Sequence, residues 1–173
     1  MPLVLIREDG SARIDANSYC TVAEGDTYNQ SVLYADAWLN ASTNDKTIAL
    51  VQATRLLDEM VNWMGWPITT TQALRWPRVW VWKRDRLFYE ASDSLPVWLV
   101  QATAEFARNL LASDRFADSA PVGFTSVSVP GMSATVERAN LPRVLPVSVQ
   151  ILVGPYGQVN QPGSISSARL ERM

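Results

Sequence analysis

The chain has 173 residues, 47% of them hydrophobic, with a formal net charge of −2, one cysteine and no histidine. That apolar share builds a sizeable core in one domain and excludes a disordered chain. The charge balance excludes a general duplex-DNA binder, the lone Cys20 excludes an intramolecular disulfide, and the missing histidine removes the commonest general base and metal ligand.

Residues 1–20 read as an extended N-terminal arm, with Leu3-Val4-Leu5-Ile6 as a short strand and Asp9-Gly10 as a turn. The apolar start is too short for a signal peptide, and no run approaches the roughly 20 residues of a membrane helix. The chain is therefore expected to be made and kept in a cytoplasm. Thr21 and Glu24 fit a capping box that opens a first helix over about 22–39. Ala23, Tyr28, Val32, Ala35 and Leu39 give that helix an apolar side, and Gly25 weakens it. After a linker, Thr43 or Asn44 caps a second helix over about 45–64. Its stripe is Leu50, Ala53, Leu57, Met60 and Met64, at helical spacing, and Gly65 and Pro67 stop it.

Residues 66–90 lack helical periodicity beyond one turn at 69–74. Trp76-Pro77-Arg78 breaks the chain, Trp80-Val81-Trp82 reads as extended, and Lys83-Arg84-Asp85-Arg86 reads as a polar turn. Leu87-Phe88-Tyr89 then pairs back as a small hairpin. Ser94 is read as an N-cap with Pro96 near the first helical position, opening a third helix over about 96–112. Val97, Val100, Ala104, Ala107 and Leu111 form its stripe, widened by Leu99, Phe106 and Leu110, which places it centrally. Beyond Ser113, Thr125, Val127 and Val129 alternate with serines before Pro130-Gly131, the pattern of a β-hairpin. Residues 145–153 fit a short helix or a strand. Residues 154–167 are rich in Gly, Pro, Gln and Ser, the composition of a flexible tail, and the chain closes on Arg169-Leu170-Glu171-Arg172-Met173. The organisation is an arm (1–20), a helical body (21–113), a hairpin and connecting region (114–153) and a flexible C-terminal docking tail (154–173).

The densest chemistry lies between residues 75 and 86. Arg75, Arg78, Lys83, Arg84 and Arg86 oppose only Asp85, and Trp76, Trp80 and Trp82 are interleaved with them. Positive charge tracks phosphates and tryptophan faces stack on bases, so this is a candidate single-strand binding strip. The same residue types dominate protein interfaces, so a subunit contact is the competing reading. Core tryptophans with a solvated arginine rim would be the plain structural alternative. Glu24 and Asp26 have a structural role in the first turn of a helix, while Asp58 and Glu59 are adjacent and do not share a helical face. Cys20 has no histidine partner and reads as a small, semi-buried residue. No catalytic residue, cofactor or metal site is expected.

Asn17-Ser18-Tyr19, Val22-Ala23-Glu24 and Tyr28 begin a recognisable order of features. Trp38, Ala49-Leu50, Ala53-Thr54, Leu57-Asp58, Trp63 and Gly65 continue it, followed by Gln72-Ala73-Leu74-Arg75-Trp76-Pro77-Arg78 and Leu95-Pro96. The order resembles a family of tailed-bacteriophage head-to-tail connector or adaptor subunits, often labelled DnaT-like single-strand-binding proteins. It covers roughly 15–112, and more loosely the end from Gly163-Ser164 to Arg169-Leu170. Trp80, Trp82 and the basic turn after them depart from the family's pattern, as does Gly25.

The resemblance implies a mainly α fold, a small helical bundle with a β-hairpin and extended N- and C-terminal arms. It implies a non-enzymatic structural subunit in a ring of twelve copies below the portal protein, bridging it to a tail or nozzle protein. Genomic DNA would pass through the ring without sequence-specific binding, no membrane would be involved, and the location would be the virion's head–tail interface after synthesis in the bacterial host. Arg169, Leu170, Arg172 and Met173 would then hold the portal, and Trp80, Trp82, Lys83, Arg84 and Arg86 would form a subunit or partner interface. The alternative is a single-stranded DNA-binding protein using residues 75–86.

Overall fold

The computed structural model describes residues 3–115 and 145–160. Helix α1 (Val22–Gln30) opens on the expected capping box: the Thr21 side chain accepts from the Glu24 N–H, and the Glu24 carboxylate accepts from the Thr21 N–H at 2.8 Å. The chain then reverses through residues 31–35, where Tyr34 takes a φ of 59°, and enters α2 (Asp36–Leu39). The single helix expected over 22–39 is therefore broken, and Gly25 and Trp38 explain why. In a continuous helix, thirteen residues would hold them about 20 Å apart. Instead Trp38, fully buried, lies so close that a Cβ on Gly25 would stand 2.7 Å from its ring. Trp38 Nε1 donates to Asp26 Oδ1 at 2.8 Å and fixes the return.

Helix α3 (Thr43–Met60) is capped by Ser42, whose side chain accepts from the Asp45 N–H. Leu50, Ala53, Leu57 and Met60 are buried as their spacing requires, but Met64 lies beyond the helix and is exposed. The helix ends at Met60 because Val61 becomes extended and starts β1 (Val61–Trp63). After β2 (Trp66–Pro67) and β3 (Arg78–Val79) comes α4 (Val97–Ala112), whose cap is Pro96 rather than Ser94. Helix α4 packs against α1, α2, α3 and α5 (Val147–Val153), the central place that its wide apolar surface demands. Strand β4 (Gly157–Val159) follows α5.

The expected mainly α, small helical bundle is overturned: the described fold is mixed α/β. Two antiparallel two-stranded sheets, β1–β4 and β2–β3, join the five helices of the described residues. No helix occurs between Met60 and Val97, a stretch that Gly65 and Pro67 open and Pro77 interrupts again. Strand β1 gains its partner from far along the chain, with Val61 opposite Val159 and Trp63 opposite Gly157. That partner belongs to the segment whose composition reads as a tail.

The extended N-terminal arm is likewise replaced by a segment folded on the body. Glu8 is wholly buried, and its carboxylate accepts from the N–H groups of Gly10, Ala12 and Arg13 at 2.9–3.0 Å. Asn17 Oδ1 accepts from the Ile6 N–H, and Ala12, Ala16, Tyr19 and Cys20 are buried. The hairpin expected near 125–137 and the terminal Arg169, Leu170, Arg172 and Met173 lie outside the described residues. No helix among the described residues is long and apolar enough to cross a membrane.

Candidate nucleic-acid interface

The basic, aromatic stretch 75–86 divides into a buried half and a surface half. Trp76 is fully buried, 6.0 Å from Trp63 and 5.3 Å from Trp98, edge-on to both. Arg78 is also inside. Its Nε donates to the Met64 carbonyl at 2.7 Å, one terminal nitrogen to Arg75 O at 3.0 Å and the other to Gly65 O at 2.6 Å. Gly65 has a φ of 68°, and a Cβ there would stand 2.1 Å from Val79 O, so this crossing admits only glycine. Asp58 ties the same region to the helices. It accepts from Tyr19 Oη at 2.7 Å, Trp63 Nε1 at 3.2 Å and the Arg75 N–H at 3.0 Å. Burial pushes its carboxyl above the usual range, against those hydrogen bonds. Trp76 and Arg78 are therefore framework, not contact surface.

The surface half is a hairpin raised on that framework. Trp82 pairs with Tyr89 in an antiparallel bridge, Lys83 N–H donates to Phe88 O, and Glu90 N–H donates to Val81 O, each hydrogen bond at 2.8 Å. The turn closes where Arg86 N–H donates to Lys83 O at 2.8 Å and Leu87 N–H to Asp85 Oδ1 at 3.1 Å. Val81 is buried in the core, while Trp80 is 65% and Trp82 43% exposed. Trp82 stacks on Tyr89 with centroids 4.0 Å apart, and Trp80 meets Tyr89 edge-on at 5.4 Å. Trp80 and Arg86 both hold positive φ, 61° and 57°. A bulky side chain in that region costs about 1–3 kcal/mol, and such strain concentrates at contact sites.

Two clefts flank the basic turn and share Lys83 and Arg84. One, of about 320 Å³, is lined by Trp82, Arg86, Met64 and Pro155 and holds no acid. The other, of about 560 Å³, is lined by Asp85, Glu90, Pro96, Val97, Trp98 and Tyr156. The expected interface residues Trp80, Trp82, Lys83, Arg84 and Arg86 are thus brought together, and all are exposed. Sequence reasoning missed Glu90, Trp98 and Tyr156, which reach the cleft from the hairpin's end, α4 and the turn before β4. It also passed over Trp66, 71% exposed beside the hairpin's root, for which a tryptophan next to a helix-stop signal was the only clue.

The remaining candidates have structural duties. Glu24 completes the cap and pairs with Arg7 at 2.9 Å. Asp26 holds Trp38 and Lys46, each at 2.8 Å. The Cys20 thiol is buried, and desolvation pushes it up to about 12, far from the thiolate a nucleophile needs. No group of three His, Cys, Asp or Glu side chains positioned to hold a metal ion occurs among the described residues.

The family model described as "Putative DnaT-like ssDNA binding protein" matches residues 3–132. The chain belongs to this family. The match spans α1 to α4 and the whole aromatic hairpin. The family's description names single-stranded DNA rather than a phage head-to-tail joint, in line with the strip reading of residues 75–86. No curated protein and no solved structure matches the chain.

Proposed function

We propose that the chain binds single-stranded DNA through the hairpin at residues 80–90. The carrying observation is the exposed Trp82–Tyr89 stack at 4.0 Å, set among Lys83, Arg84 and Arg86. Aromatic faces take bases at about 1–3 kcal/mol each with little regard to sequence, and the cations follow the backbone. The mechanism is non-covalent, with Trp80 and Trp82 as platforms and Lys83, Arg84 and Arg86 as phosphate contacts. The net charge of −2 confines the attraction to this patch, which disfavours broad duplex binding.

Fluorescence anisotropy with labelled oligo(dT) across a salt series tests this reading. Each phosphate contact contributes a slope of about −0.7 in log K against log[salt]. Changing Lys83, Arg84 and Arg86 together to Ala should make the slope shallower by about 2, three contacts at that rate. Trp82→Ala should weaken binding by about 1–3 kcal/mol at every salt concentration. No binding at low salt, or an unchanged slope in the triple variant, would sink the proposal.

A second reading, the head-to-tail adaptor of a tailed phage, is favoured by two exposed apolar patches on different elements. Leu87 and Phe88 crown the hairpin, 71% and 67% exposed, while Leu33, Tyr34 and Leu39 protrude where α1 reverses into α2. A closed ring needs two different faces on each subunit. In that reading the hairpin packs on a neighbouring copy in a twelve-membered ring at the virion's head–tail junction. The C-terminal Arg169, Leu170, Arg172 and Met173 would engage the portal, with a tail or nozzle protein below. Sedimentation of the chain alone and mixed with a portal separates the readings: a ring or portal complex without oligonucleotide affinity moves the hairpin to the subunit interface.

A further inference from the structure

The larger cleft beside the turn contains a carboxylate that phosphate binding does not explain. Glu90 is half-buried at the hairpin's end, and its Oε1 accepts from Trp98 Nε1 at 3.1 Å. Its Oε2 accepts no hydrogen bond among the described residues. A carboxylate has about four acceptor positions, so both oxygens retain capacity. Trp98 and Tyr156, stacked 3.9 Å apart with their planes within 3°, form the wall beside it. Lys83 and Arg84 line the same cleft, whose volume of about 560 Å³ is ample for a base and its sugar.

An ionised carboxylate only accepts, so it selects ligands that present donors. Among the four DNA bases, only guanine places two donors side by side on its Watson–Crick edge, the N1–H and the N2 amine. Their spacing matches the two oxygens of one carboxylate. Cytosine and adenine set an acceptor beside their amine, and thymine flanks its single N–H with two carbonyls. Each would put an acceptor against a Glu90 oxygen. We infer that this cleft is a guanine-selective base subsite in which Glu90 takes the N1–H and N2 donors while Lys83 and Arg84 hold the adjoining phosphates. The inference rests on the single-strand reading and adds base preference to it.

The test uses the full chain with labelled oligo(dT), the same oligomer carrying one central dG, and controls carrying dA or deoxyinosine there. The dG oligomer should bind about fivefold tighter than oligo(dT), the lower end of what a bidentate base contact gives. Deoxyinosine, lacking the N2 amine, should fall between them, and dA should give no gain. Glu90→Gln keeps an acceptor for Trp98 Nε1 but sets an amide donor against guanine, so the dG advantage should vanish, while oligo(dT) affinity, relieved of a negative charge beside Lys83 and Arg84, should not fall. Near-ultraviolet circular dichroism confirms that Trp98 stays packed. Equal affinity for dG and dT oligomers, or an advantage that survives Glu90→Gln, overturns the subsite and leaves single-strand binding standing. An advantage abolished by Asp85→Asn but not by Glu90→Gln also overturns it, since Asp85 lines the same cleft. If neither oligomer binds, the single-strand reading falls and the subsite with it.

Discussion

Gly25→Ala sets two known effects against each other inside α1. Alanine is favoured over glycine in a helix interior by about 1 kcal/mol. On propensity alone the variant should be the more stable protein. The new methyl, however, would stand 2.7 Å from Trp38 Cζ2 and 2.8 Å from Cη2, closer than any ordinary carbon contact. The ring has no slack: Trp38 is fully buried, and its Nε1 is tied to Asp26, which also pairs with Lys46. Forcing an extra carbon into such a site costs about 1–3 kcal/mol, and the tether places this case at the upper end. The expected net is a loss of about 1–2 kcal/mol after the propensity gain. Urea denaturation followed by tryptophan fluorescence measures it. Adding Trp38→Leu should change the sign of the alanine effect, because the atoms it meets are gone. A Gly25→Ala single variant more stable than the wild type would refute the claim that the glycine exists to admit Trp38.

Two further outcomes follow from the core. Leu57→Ala removes a wholly buried side chain from the α3 stripe and should cost about 2–5 kcal/mol; a melting temperature equal to that of the parent would show that the stripe does not carry the core. Glu105, buried on α4, accepts from Arg108, Ser148 and Tyr28. Burial alone would raise its carboxyl, but those hydrogen bonds and the Arg108 charge hold it below the ordinary 4.5. The folded state therefore keeps the charge longer than the unfolded chain on acidification. Glu105 contributes fully above 4.5 and loses its contribution as pH falls below it. Melting curves of the wild type and Glu105→Gln should differ at neutral pH, by about 3 kcal/mol for a broken buried pair, and converge on acidification; a gap that widens in acid would reverse the assignment.

Local signals were legible where the physics is local. The Thr21–Glu24 cap, the α3 stripe through Leu57 and the α4 stripe need only neighbouring residues, and each formed close to its expected place, save that Val97 at the start of the α4 stripe is 70% exposed. The turn from Lys83 to Arg86 was also readable, because its polar run lies between two aromatic strands. What escaped depends on partners distant in sequence. Val61 and Trp63 leave the helix expected over 45–64 because Val159 and Gly157 pair with them. Gly25 reads as a flaw until Trp38 folds back on it. Within 75–86, composition cannot separate Trp76 and Arg78, which face the core, from Trp80 and Arg84, which face water. Glu90 was overlooked because a carboxylate shows its use only when Trp98 and Tyr156 are seen beside it.

The Arg78 clamp bears on how the hairpin would meet the strand it is proposed to bind. Three of its nitrogens reach the carbonyls of Met64, Gly65 and Arg75, so the root of the hairpin is held by a planar fork anchored to main chain. Carbonyls do not titrate, and a guanidinium keeps its proton at any pH the protein meets. The anchorage is therefore indifferent to acidity in a way that an ion pair would not be. Its geometry also cannot be copied by lysine, whose single ammonium spans one point rather than three. A platform fixed before contact loses little backbone freedom on binding; what a ligand must still order is the rotamers of Lys83, Arg84 and Arg86, at about 0.5–1.5 kcal/mol each. On the proposed single-strand reading, affinity at this surface would be governed by side-chain settling rather than by loop folding, and association would proceed without a slow conformational step.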